Sequence, residues 1–382
     1  VISGDVSGAV TIAAPSAAGT PTLTLPTTSG TIALTSGGGS PTFTSITTTS
    51  DSTIHSLTVG TGAGNDTRNT VFGYQALSGS NTAAGVTALG YQALKANTTG
   101  QYNVAIGFGP LVLNTTGSAN IAIGNSSLAA NVSGIRNTAV GDSTLTSNTA
   151  DYNTAIGFGT LNANTTGANN VALGAWALLS NTTADANTAI GVNALYSTTS
   201  GGFNTALGGY AGYYNTTGTG ITAIGRSTLA NNTTGKNNTA VGGYAYADNV
   251  NAALNANTTG QNNVAVGTGA LAANTTASAN AAVGFQALYS NTTGQYNAAL
   301  GYQAGYSTVS ANFSTYVGFQ AGFVSTGSYN TALGGYALKA NTSGVNNVAL
   351  GSYALYATTT ANSNVGVGTS AMESNTTGAN NT

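Results

Sequence analysis

The chain has 382 residues, 41% of them apolar, yet only 14 are charged, six basic and eight acidic, for a net charge of −2. The basic residues stand singly along the chain, so there is no electrostatic footprint for nucleic acid, and the absence of cysteine removes disulfide frameworks and thiolate chemistry. Charge this low, with Val, Ile and Leu at fixed intervals, argues for an ordered chain rather than a disordered one.

Residues 1–59 carry alternating segments such as VTIAA, TLTLP and TIALT, broken by GT, TTSG and SGGGS. These are strand patterns joined by turns. Pro15, Pro21, Pro26 and Pro41 all fall here and speak against a regular coil, so this part is read as a β-rich stem or connector.

Residues 60–382 repeat. Aligned on the glycine of AIG or ALG, copies occur at Gly73, Gly90, Gly107, Gly124 and on to Gly368, eighteen in all. The spacing is 17 except for two steps of 16 (Gly141 to Gly157, Gly318 to Gly334) and one of 25 (Gly242 to Gly267). A fixed period in this range marks a solenoid, in which each unit covers its apolar face only against its neighbours.

The residue before the glycine is always apolar, as at Ile106 and Ile123, and the one two positions earlier is mostly Thr or Val. Side chains alternate along a strand, so these columns share one face and are expected to supply the buried core. Ala stands between them in fifteen copies, which suggests a closely packed partner against the opposite face. Four residues after the glycine comes Leu in thirteen copies (Leu94, Leu111, Leu128 among them), read as a second short strand. The N-T-T-G remainder is turn chemistry. Asn stands four before the glycine in fifteen copies, as at Asn103 and Asn120, and a second Asn opens the loop, as at Asn97 and Asn114. Stacked about 4.8 Å apart, such amides form ladders.

The expected fold is therefore all-β, a parallel β-roll or β-solenoid of about eighteen coils, making a rod of roughly 85 Å. Where the Leu column becomes Gly (Gly212, Gly305, Gly322), the next residue is aromatic, and Tyr213, Tyr306 and Phe323 are expected to fold back into the vacated space.

The phrases NTAIGFGTLNANTTG (Asn153 to Gly167) and NAALGYQAGYSTV (Asn297 to Val309) resemble the N-x-A-I-G repeats in the heads of trimeric autotransporter adhesins, and more closely the longer repeats of phage tail fibres. SLTVGTGAGNDTRNTVFGYQAL (Ser56 to Leu77) is similar to the start of such fibre repeats. The resemblance implies a left-handed parallel β-roll, three identical chains around a common axis, a place in the virion and contacts with other tail or baseplate proteins. A bacterial cell-surface or extracellular adhesive filament is the alternative. Adhesin heads use shorter units, so the cross-section does not transfer. The chain, opening on Val1 and stopping within a repeat, is expected to be a piece of a longer polypeptide.

No enzyme, cofactor or metal is expected. His55 is the sole histidine, without a converging triad, and Asp66, Asp142, Asp151, Asp185 and Asp248 stand one per loop, short of the oxygens calcium needs. No run of apolar residues approaches eighteen, so membrane insertion is not expected. The N-T-T triplets match a glycosylation acceptor pattern, but turns and ladders account for their period. Rings just after the glycine could meet a host-surface glycan; their spread along the chain favours packing between chains or coating of a turn. The candidate contact residues are Tyr244, Tyr246, Asp248 and Asn249 in the inserted loop, with Trp176.

Overall fold

The computed structural model describes residues 52–54, 57–64, 66–79, 82–244 and 251–382. Most of the expected stem, His55, and three of the inserted-loop residues (Tyr246, Asp248, Asn249) lie outside them. The described chain is an all-β parallel solenoid without helices. It opens on β1 (Ser52–Ile54), antiparallel to β2 (Leu57–Gly60), which is antiparallel in turn to β3 (Thr70–Tyr74). From β3 onward the pairing is parallel and strictly sequential, through seventeen three-residue strands from β4 (Thr87–Leu89) to β20 (Val365–Val367).

Register follows the sequence columns. Ala88 pairs with Ala105, and Ala105 with Ala122. The short and long steps leave it intact: Ala139 pairs with Ala155 across one 16-residue step, Tyr316 with Ala332 across the other, and Ala240 with Ala265 across the 25-residue step. After the inserted loop, Leu254 and Asn257 resume their buried columns.

The inside of the strand is the reverse of the expectation. The alanines (Ala105, Ala122, Ala139 and their equivalents) are fully buried, whereas Ile106 and Ile123 are only half-buried on the outer face. The interior is filled from the other side of the coil by Leu94, Leu111, Leu128 and their equivalents, all at 0% exposure. That leaves room for little more than a methyl from the strand. At Gly366, where the Ala column is glycine, an added Cβ would sit 3.1 Å from Leu355 Cγ. Ala is thus an intrachain core residue, and its recurrence is a consequence of a coil one leucine wide.

Among the described residues the coil has no second strand. The four residues after the glycine form a turn, with left-handed backbone at the second and fourth positions, for example Gln92 (φ 54°) and Leu94 (φ 52°). A left-handed residue breaks the pleat, although Leu94 N–H still donates to Pro110 O in the next coil at 3.1 Å and Leu111 N–H to Ser127 O at 3.0 Å. A β-branched side chain is a steric outlier at positive φ. Among the described residues this column accordingly holds only Leu, Met372 (φ 51°) and Gly. The glycine before the turn is fixed more tightly still. Gly107 has φ 135°, and a Cβ on it would lie 2.6 Å from the Gly124 carbonyl oxygen.

Two asparagine columns tie the coils together by different means. In the loop column amide bonds to amide: Asn114 Nδ2 donates to Asn97 Oδ1 at 2.7 Å, and the same bond recurs from Asn131 to Asn114, Asn181 to Asn164 and Asn274 to Asn257 at 2.6–3.0 Å. Each Nδ2 also donates to the carbonyl three residues on, as Asn114 does to Gly117 at 3.0 Å. In the strand column the amide mainly bridges to backbone. Asn103 Oδ1 accepts from Asn120 N–H at 2.9 Å while Asn103 Nδ2 donates to Gly117 O at 2.8 Å. Both columns are buried, so these bonds satisfy groups that would otherwise be costly.

Three loop-column oxygens lack a partner: Asn131, Asn181 and Asn291 Oδ1. Each sits below a break. Above Asn131 the 16-residue step turns Asn148 Nδ2 to Ala150 O (2.8 Å), and above Asn181 and Asn291 the column holds Thr198 and Thr308.

Candidate functional site

With Ala and Leu inside, each strand presents two outward columns. The one before the glycine is apolar throughout and ranges from half-buried, as at Ile106 and Ile123, to exposed, as at Leu173 (43%), Leu207 (45%) and Leu300 (52%). Beside it run Thr, Val, Ile and Ala, including Thr188, Thr205, Thr222 and Thr239, half-buried or exposed. The result is a continuous line of half-buried to exposed apolar side chains along the solenoid.

Tyr213, Tyr306 and Phe323 do not fill the space below their neighbouring glycines; they lie half-buried outside. Tyr196 stacks on Tyr213 (5.0 Å, 14°), and Tyr289, Tyr306 and Phe323 form a continuous stack at 5.3 and 5.1 Å. The vacated room is taken from the strand side instead. Ile221 replaces a strand-column Asn and reaches toward Gly212, while Tyr316 replaces a core Ala and lies between Gly305 and Gly322.

The rings after the glycine stack along the solenoid in two groups. Tyr74, Tyr91 and Phe108 stack at 5.4 and 4.6 Å, and Phe285, Tyr302 and Phe319 at 5.4 and 5.2 Å. Tyr296, Phe313 and Tyr329 make a further ladder on the same three coils as the second group. Rings packed face to face at 7–14° cover one another's faces and turn their edges outward. The geometry favours coating over ligand stacking in these ladders, although the rings do cluster, contrary to the even spread expected.

Trp176 departs from this pattern. It takes a left-handed backbone (φ 57°), is 40% exposed, meets Phe158 edge-on (5.7 Å, 90°) and lies against Gly159, where an added Cβ would sit 3.0 Å from its Cδ1. Tyr244 N–H donates to Arg226 O at 3.1 Å, so it stacks on the preceding coil as the last residue before the insertion. Among the described residues, the loop-column asparagines of the N-T-T triplets other than Asn375, such as Asn97, Asn114 and Asn164, are buried with their Nδ2 atoms donating, so the folded coil does not present them for glycosylation.

Charge is dispersed. Arg68 pairs with Asp66 at 2.7 Å, holding that carboxyl down at about 2 through hydrogen bonds to the Arg68 side chain and backbone. Arg136 donates to Tyr152 OH at 2.6 Å, and Lys339 lies 4.7 Å above the Tyr336 ring. Among the described residues no group of three metal-ligating side chains occurs, and no helix is long and apolar enough to cross a membrane. No protein-family model, curated protein or solved structure matches the chain.

Proposed function

We propose that the chain is a non-enzymatic structural segment of a phage tail fibre, assembled as a homotrimer, which holds a receptor-binding tip away from the virion. The observation that carries this reading is the unbroken outward column of Leu, Ile and Val before the glycine. A solenoid whose own core is closed has no internal use for that column. Identical chains side by side would cover it along its full length, since the same side chains recur at every coil. The parallel pairing between coils adds axial stiffness, and the N-x-A-I-G phrases supply the likeness to fibre repeats.

Native mass spectrometry of the chain with its natural flanking sequence tests the proposal. A mass three times that of the chain supports the fibre. A stable monomer would overturn the trimer and put an independent solenoid in its place, and a membrane anchor in the flanks would move the reading to a bacterial surface filament.

A further inference from the structure

On coils either side of the 25-residue step, the face that carries the N-T-T-G turns bears an open groove of about 480 Å³, lined by Ser197, Tyr214, Thr216, Asn231, Thr233, Ala256 and Thr258. Two outward columns build it, one on each side of the buried asparagine ladder. Thr216, Thr233 and Thr258 form one wall; Ser197, Tyr214, Asn231 and Ala256 form the other.

The donors of this lining are largely in use. Thr216, Thr233 and Thr258 each donate their hydroxyl to the carbonyl of the next coil, at 2.9, 3.1 and 3.0 Å. Asn231 Nδ2 donates to Asn255 O at 3.0 Å. The threonine Oγ1 lone pairs and Asn231 Oδ1 therefore remain as acceptors, repeated at the spacing of the coils. No charged side chain lines the groove.

Tyr214 supplies the apolar surface. Its column holds small residues in most other coils, such as Ala130, Ala163 and Ser180. Tyr214 is 52% exposed and is braced edge-on by Tyr213 (4.6 Å, 88°), whose ring is itself stacked on Tyr196. Unlike the laddered rings, Tyr214 has no face-to-face neighbour among the described rings. A braced ring beside a row of acceptors matches a ligand with an apolar C–H face and hydroxyl donors at its rim.

We propose that the groove between Tyr214 and the Thr216–Thr233–Thr258 row binds a neutral oligosaccharide, one sugar ring packing on Tyr214 and its neighbours donating hydroxyls to the threonine oxygens. The site gives the shaft a glycan contact of its own. It rests on the fibre reading for its setting, not for its geometry.

The full chain is applied to an array of neutral hexose and N-acetylhexosamine oligosaccharides beside sialylated and sulfated ones, and any neutral ligand found is titrated by calorimetry. Tyr214→Ser and Thr233→Val are run in parallel; both install residues that the repeat already carries in those columns, at Ser197 and Val132. Neutral ligands are expected to bind, with affinity falling tenfold or more in Tyr214→Ser and several-fold in Thr233→Val. Thr149→Val, in the same column outside the groove, should leave binding unchanged. No neutral binding, binding confined to acidic glycans, or equal binding by the parent and both groove variants would overturn the site. Native mass on the same samples separates the two proposals: a trimer that binds no glycan removes the site alone, and a monomer that binds removes the trimer alone.

Discussion

Tyr316 occupies the space that a leucine at Gly322 would fill. A Cβ on Gly322 would run into the Tyr316 ring, and one on Gly305, in the coil before, would come within 2.8 Å of it. Three positions around the ring also change to hydroxyl residues, Thr308, Ser314 and Ser325, and the Tyr316 hydroxyl bonds to Ser325 Oγ at 3.1 Å. Tyr316→Ala should cost about 3–5 kcal/mol by leaving a cavity. Gly322→Leu alone should also destabilise, but Tyr316→Ala with Gly305→Leu and Gly322→Leu should regain most of the loss. Thermal unfolding of the four proteins checks this, and additive losses would contradict the exchange of one ring for two leucines.

The same tyrosine sets an alkaline limit. Burial raises its pKa above the ordinary 10, so the folded state favours the neutral phenol. Above pH 10 the unfolded chain releases a proton that the folded chain keeps, so stability is present below pH 10 and falls as pH rises past it. Hydrogen exchange should speed up first in the coils around Tyr316 above pH 10, and Tyr316→Phe should abolish that dependence.

At the acid end the expectation concerns one exposed pair. The Asp66 carboxyl, held down at about 2 by Arg68, contributes stability that is present above pH 4 and lost as pH falls through about 2. Carboxyl chemical shifts across a pH titration should place Asp66 well below a free aspartate, and Arg68→Gln should return it to the usual range.

Repairing a broken ladder should stabilise the solenoid. Thr198→Asn would place a donor above the orphaned Asn181 Oδ1, for a gain of about 0.5–1.5 kcal/mol. Slower hydrogen exchange in the two coils that flank residue 198 would report it. No change there would mean that the column cannot accept a full amide at this coil.

Backbone conformation should dominate at the leucine column. Leu111→Met should cost under about 1.5 kcal/mol, as a swap of near-equal volume that Met372 already exemplifies. Leu111→Val should cost more than its lost methylene, because a β-branched residue strains the left-handed backbone at φ 51°. Melting temperatures order the two.

Period, register and asparagine columns were legible in the sequence because all three are carried by residue identity at fixed spacing. The side of the strand that faces inward was not. Ile106 and Ala105 alternate correctly, but choosing the larger as the core residue assumes an interior wide enough for it, and Leu111 and its equivalents had already filled that interior from the turn. The missing second strand has a similar cause. Leu94 looks like a strand residue by hydrophobicity, whereas its left-handed φ is visible only indirectly, in a column that never admits Val, Ile or Thr. Tyr214 carries no sequence signal of its own, because the aromatic columns lie right after the glycine while its groove arises between columns six and eight residues beyond it.

The loop asparagines and the threonines that follow them point in opposite directions. Asn114 aims its amide hydrogen back at Asn97, toward the N-terminal end, while Thr98 aims its hydroxyl hydrogen at Thr115 O, toward the C-terminal end. The two rows are adjacent in sequence and form antiparallel lines of dipoles, which attract side by side and oppose one another's field along the axis. An α-helix, by contrast, sums its peptide dipoles into partial charges at its ends. Each coil that keeps the Asn–Thr pair brings opposed dipoles, so these rows let the solenoid lengthen without building an electrical polarity of their own.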